Sequence, residues 1–129
     1  MLGLSKVFLM VEDQERAKKF WVEKIGCEIA EETPYEGPAG TASWIELRTP
    51  DKGMILALIP LLGQPQAVAP DGLPASNLYF TCDNFQETYN ELRERGVEFV
   101  DEPVQQPWGW WTMFKDPEGM RFTLGERQP

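Results

Sequence analysis

Apolar and polar residues alternate with a period of two in eight short segments of the chain and with helical spacing in two longer ones. The alternation predicts strands over residues 4–11, 27–33, 41–48 and 54–60, and again over 75–82, 97–103, 109–115 and 120–125. Between the first two strands of each set, Ala17, Phe20, Trp21 and Ile25 fall on one helical face, as do Phe85, Tyr89 and Leu92. Lys18, Lys19 and Glu23, and likewise Glu91, Arg93 and Glu94, point away from those faces. Asp13 and Asn84 are placed to cap the two helices, with Glu87 completing a capping box, and Gly26 and Gly96 are their stop signals. The predicted order is βαβββ, twice.

The two halves also match residue by residue. Val7 to Asp13 faces Leu78 to Asn84 at an offset of 71, and Gly26 to Glu32 faces Gly96 to Glu102 at 70, so the second helix is one residue shorter. Trp44 and Pro50 face Trp111 and Pro117 at 67, and Gly53 faces Gly119 at 66. The stretch 61–73, with Pro65, Pro70 and Gly72, reads as a linker between a unit at 1–60 and a unit at 74–127. Pro50 to Gly53 and Pro117 to Gly119 read as hairpin turns.

Composition narrows the class. With 129 residues, 42% hydrophobic and 26% charged, the chain is expected to be one soluble domain. Its net charge of -9 opposes binding to nucleic acid and to anionic membranes. That acidity favours cationic ligands, or else serves only to keep the protein soluble. The apolar opening run is interrupted by Lys6 and ends at Glu12 and Asp13 without a small-residue cleavage site, which predicts a cytoplasmic protein. Cys27 and Cys82 have neither disulfide nor metal-site spacing and read as buried apolar positions.

The ordered carriers Val7, Leu9, Val11 and Asp13, then Phe20, Trp21 and Gly26, then Asp83, Asn84, Gly96 and Val97, and finally Asp116 to Gly119, resemble the vicinal oxygen chelate superfamily. That superfamily holds glyoxalase I, extradiol dioxygenases and bleomycin-resistance proteins. The resemblance implies an α+β fold: two tandem βαβββ units forming a curved eight-stranded sheet around a cleft, one domain over 1–129, usually paired as a homodimer. In metal-dependent members, ligands stand at four strand positions, which the resemblance maps onto Lys6, Ala57, Asn77 and Thr123. None is a good ligand, and the chain has no histidine, so the resemblance is to a metal-free, bleomycin-resistance-like member with no cofactor.

Residues two apart on a strand share a face, so the parity of those four positions assigns the rest of the cleft. Lys6, Phe8 and Met10 fall on the cleft side, as do Trp44 and Glu46, Ile55 and Ala57. In the second half the same side receives Asn77, Tyr79 and Thr81, Trp111 and Met113, and Arg121 and Thr123, with Trp108 and Trp110 at the rim. Ile45, Leu47, Leu56, Leu58, Leu78, Phe80, Phe122 and Leu124 then suffice as a core. The candidate ligand contacts are therefore Phe8, Met10, Trp44, Glu46, Tyr79, Trp108, Trp110, Trp111, Met113 and Arg121, whose aromatic rings would stack a planar or cationic ligand. The segment Gln106 to Trp111 also resembles the Pro-Trp-Gly stretch of bleomycin-resistance-like proteins, which sequester a drug without altering it. Alternatively, the five tryptophans fill a dimer interface or a thick sheet.

Catalytic candidates are few: Lys6 and Glu46 as a pair across the cleft, which reads first as a structural salt bridge and otherwise supplies one base if desolvation shifts its pKa, and Arg121 as the holder of an anionic group. No nucleophile, phosphate loop or hydride-cofactor fingerprint is present. The leading expectation is a metal-independent protein that binds a small aromatic or cationic molecule, an antibiotic among the possibilities. Behind it stand a metal-independent lyase or isomerase, a partner-binding or regulatory protein, and a metal site built on Glu46 with backbone or water oxygens.

Overall fold

The computed structural model describes residues 1–38 and 40–128. Among them the chain forms two compact units, Met1–Gln66 and a second from Ala67 onward. The fold is α+β, with one α-helix and one sheet in each unit.

In the first unit, β1 (Lys6–Val11), β2 (Glu28–Gly37), β3 (Gly40–Arg48) and β4 (Ile55–Pro60) form a four-stranded sheet in the order β1-β4-β3-β2. The β1–β4 step is parallel and the others antiparallel. Helix α1 (Gln14–Phe20) starts where the Arg16 N–H donates to the Asp13 carboxylate at 3.0 Å, as the cap predicts. It is fastened to the sheet by Gln14, whose amide nitrogen donates to the Ser43 and Leu58 carbonyls and whose oxygen accepts the Ser43 N–H. Ala17 and Phe20 of the helix are buried, as are Leu9, Val11, Ile45, Leu47, Leu56 and Leu58 of the sheet. Each of the large side chains contributes about 1.5–3 kcal/mol by leaving water.

The helix does not end as an ordinary α-helix. Trp21–Ile25 forms a π-helical turn, closed by donation from the Gly26 and Cys27 N–H groups to the Trp21 carbonyl. Gly26 follows at φ 97°, a left-handed conformation that glycine adopts without the β-carbon penalty. The sequence signals locate both ends of this segment, but the π turn is a feature that hydrophobic spacing does not reveal.

The second unit repeats the plan with β5 (Ala75–Cys82), α2 (Phe85–Glu94), β6 (Glu98–Phe99), β7 (Val104–Gln106), β8 (Gly109–Lys115) and β9 (Arg121–Glu126). Its sheet runs β5-β9-β8-β6, with β7 also paired to β8 and β5–β9 the parallel step. The Glu87 N–H donates to Asn84 Oδ1 at 3.1 Å, so the predicted N-cap forms. An aromatic core connects the elements: Phe122 packs on Phe114 and Phe80, and Tyr89 of α2 meets Phe99 at 4.6 Å.

Two strand predictions need correction. The strand expected at 27–33 continues to Gly37 through Pro34, which is accommodated because β2 is the outer strand of its sheet, where a missing N–H breaks no ladder. The strand expected at 97–103 is broken into β6 and β7 around Pro103, giving nine strands among the described residues instead of eight. The hairpin turns form as expected. Asp51 Oδ1 accepts from Gly53 N–H in one, and Asp116 Oδ1 accepts from Glu118 and Met120 N–H in the other. Cys27 is buried, but Cys82 is only half-buried, and both thiols are free. Leu78 and Phe80, expected in the core, are half-buried. Among the described residues, no helix is long and apolar enough to cross a membrane.

Candidate functional site

Alternation along β1, β3 and β4 buries Leu9, Val11, Ile45, Leu47, Leu56 and Leu58 against the helix and turns Lys6, Phe8, Met10, Trp44 and Glu46 to the opposite, open face. Register then sets neighbours: Phe8 lies beside Ala57 on β4, and Ala57 beside Glu46 on β3. Lys6, paired with Ile55 in the same register, reaches across β4 to the next row, and its ammonium meets Glu46 Oε2 at 2.7 Å. Ala57 itself is fully covered.

Glu46 Oε2 also accepts the Trp44 indole N–H at 2.7 Å. The Trp44 ring is in turn met edge-on by Phe8, centroids 5.9 Å apart and planes at 86°, and the Lys6 ammonium lies 5.9 Å from the Trp44 centroid. Two side chains that readily change rotamer are thus tied to one carboxylate, and an aromatic pair stands beside a fixed cation. Glu46 is 13% exposed, whereas Lys6 is 36% and Phe8 59% exposed. The hydrogen bond from Lys6, followed by that from Trp44, holds the Glu46 carboxyl below the usual carboxylate range. The pair is the salt bridge that the sequence favours; the alternative, Glu46 as a base raised by desolvation, is not supported, because the shift runs the other way and the carboxylate is a weaker base than a free one.

On the open face of the second unit's sheet, Tyr79 of β5 lies beside Thr123 of β9, and Thr123 beside Met113 of β8. These are the positions of Phe8, Ala57 and Glu46 in the first sheet, and they recur at the 71, 66 and 67 offsets read from the sequence. Trp111 and Gly125 are paired further along the same two strands. The Tyr79 ring extends over Gly125, leaving no room there for a β-carbon, which makes Gly125 a site residue that the aromatic pattern alone does not mark. A glycine inside a predicted strand is the signal that would have found it.

Other candidates are placed elsewhere. Trp110 stacks on Phe85 of α2 at 6.3 Å, on the helix side of its strand and away from Trp111 and Met113. Trp108 is exposed at the tip of the β7–β8 hairpin, where Glu126 accepts the Trp110 N–H and Gln128 donates to the Trp108 carbonyl. Arg121, expected to hold an anionic ligand group, is instead occupied by the chain. Its guanidinium pairs with Asp71 at 2.9 Å and donates to the carbonyls of Leu73 and Pro74, binding the segment before β5 to β9. Asp71 has its carboxyl pKa lowered, first by Arg121 and then by the Leu73 N–H.

The four positions that the resemblance assigns to metal ligands do not fit a metal ion. Lys6 presents an ammonium already engaged by Glu46, Ala57 has no donor atom, and Asn77 and Thr123 offer only neutral oxygens. Among the described residues, no group of three or more His, Cys, Asp or Glu stands close enough to share an ion.

Comparisons agree with the fold. YetH, an uncharacterized protein of Bacillus subtilis (strain 168), is 36% identical over 126 residues, covering 95% of this chain and 97% of its own. The crystal structure of UcmS2 is similar at 27% identity with a TM-score of 0.76, covering 97% of this chain and 98% of its own. That of TnmS3, an antibiotic binding protein from Streptomyces sp. CB03234, is similar at 27% identity with a TM-score of 0.75, covering 99% and 98%. The model of one family matches residues 3–124, nearly the whole length over which the duplication was read. The chain belongs to the Glyoxalase/Bleomycin resistance protein/Dioxygenase superfamily.

Proposed function

We propose that the protein binds a small organic molecule without a metal, stacking an aromatic or cationic ligand on the tryptophan-bearing open sheet faces and releasing it unchanged. The observation that carries this reading is the preset Phe8–Trp44 pair. The two rings are held edge to face on a surface the core does not need, and the Trp44 indole is locked by Glu46. Rings fixed before a ligand arrives lose little conformational freedom on binding, and that favours affinity. Tyr79, Trp111 and Met113 supply a second, uncharged surface of the same kind on the other sheet. The likeness to an antibiotic binding protein makes antibiotics the first ligands to try. The reading includes a homodimer working in the cytoplasm.

A metal-independent lyase or isomerase draws less support, because its candidate base, Glu46, is held ionised as a weak base and its candidate anion holder, Arg121, is taken by Asp71. The test is a tryptophan-fluorescence titration of untagged protein, with chelator present, against aromatic and cationic antibiotics and metabolites. Saturable quenching that is lost in Trp44→Ala or Trp111→Ala is expected. A flat response across a broad panel would sink the proposal.

A further inference from the structure

The site described above contains its own cation, and this says more about the ligand than the overall charge of the protein does. We infer that the Lys6 ammonium is the polar anchor of the site, and that the ligand is a planar aromatic compound bearing an anionic or hydrogen-bond-accepting oxygen at its edge, not an amine. The inference rests on the stacking function proposed above and narrows its ligand class.

Three observations carry it. First, an ammonium has three donor hydrogens, and Glu46 Oε2 takes one of them, so donor capacity remains on the more exposed partner of the pair. Second, Glu46 is the covered partner, with Oε2 receiving both Lys6 and Trp44. An incoming cation would meet the more exposed Lys6 charge before the carboxylate and would have to compete with it for Oε2. Third, the ammonium lies over the Trp44 ring, 5.9 Å from its centroid, so a planar molecule packed on the Phe8–Trp44 pair has Lys6 within reach. An oxygen there gains a charge-assisted hydrogen bond, while Glu46 acts as a positioning residue that keeps the lysine from swinging into water.

The remaining charges on this face do not reverse the argument. Arg48 lies two residues beyond Glu46 on β3, and its field also favours the ionised carboxylate. Glu28 and Glu31 stand on the outer strand β2, paired in register with Arg48 and Glu46 respectively, on the far side of β3 from Lys6. They set up the competing preference for cations that the experiment has to beat.

That experiment compares two probes sharing one ring system, 2-naphthoate and 2-naphthylmethylammonium, by calorimetric titration of the untagged protein with chelator present. Wild type is expected to bind naphthoate at least tenfold more tightly than the ammonium probe. Lys6→Arg keeps this order. Lys6→Met weakens naphthoate at least tenfold and strengthens the ammonium probe, because Glu46 is then uncovered. Thermal melts of each variant confirm that it is folded. Wild type preferring the ammonium probe, or Lys6→Met leaving naphthoate unchanged, would overturn the anchor. If Trp44→Leu weakens both probes while Lys6→Met changes neither, stacking stands and the anchor alone falls; if neither probe binds wild type, both fall.

Discussion

Trp44 and Glu46, two residues apart on one strand and on one face of it, meet through an indole N–H to carboxylate hydrogen bond of 2.7 Å. Since Lys6 donates to the same oxygen, this carboxylate controls the geometry of the whole site. Glu46→Gln weakens both bonds by removing the charge and is expected to cost about 1 kcal/mol in urea unfolding. It should also loosen the Trp44 ring, read as a weaker near-ultraviolet circular dichroism signal. The same substitution should change the acid limb of stability. The Glu46 carboxyl lies below its ordinary value of 4.5, so its contribution is complete above that pH and is lost as pH falls through the lowered folded-state value. Unfolding free energies measured from pH 7 down to pH 3 should fall less steeply in Glu46→Gln than in wild type. Parallel curves would show that the ion pair contributes nothing.

Gly125 and Tyr79 provide a test of the second sheet. A β-carbon at residue 125 would collide with the outer atoms of the Tyr79 ring, so Gly125→Ala must push that ring aside. The expected cost is about 1 kcal/mol, on the scale of modest overpacking. In a Tyr79→Ala background the same change should cost almost nothing, and a double-mutant cycle measures the coupling. Additive effects would mean that the ring does not rest on Gly125.

Burial pushes the Cys27 thiol up to about 12, so almost no thiolate exists there near neutral pH. Cys82 is half-buried and also raised, chiefly by burial. Neither cysteine is expected to react with a thiol-specific reagent at pH 8 while the protein is folded, and both should react in denaturant. Rapid labelling of Cys27 in the native protein would contradict its packing.

Much of this architecture could be read before any coordinates because its signals are local. Asp13, Asn84, Gly26 and Gly96 mark helix ends through groups a few residues away, and the parity of Lys6 and Asn77 sorts the faces of whole strands. Trp110, expected at the rim, packs on Phe85 instead, as alternation requires when adjacent residues face opposite sides of a strand. The role of Arg121 was hidden for a different reason. Alternation sets Arg121 opposite the buried Phe122 and Leu124, but its partner Asp71 lies in an aperiodic segment 50 residues earlier, where no pattern predicts a contact. Likewise, the strand expected over 27–33 falls short of Gly37, since nothing local reveals that β2 is an outer strand that can pass through Pro34.

The π turn at Trp21–Ile25 shows how a duplicated protein can tolerate unequal halves. One added residue inside a strand would turn every following side chain to the other face, exchanging core for solvent. Of the residues by which the first half is longer, one falls in the helical segment, where a widened turn absorbs it as a change of winding. That residue therefore leaves the phase of the strand behind it unchanged, and substitutions on the open faces can accumulate independently: a charged pair beside a tryptophan in one copy and uncharged side chains in the other.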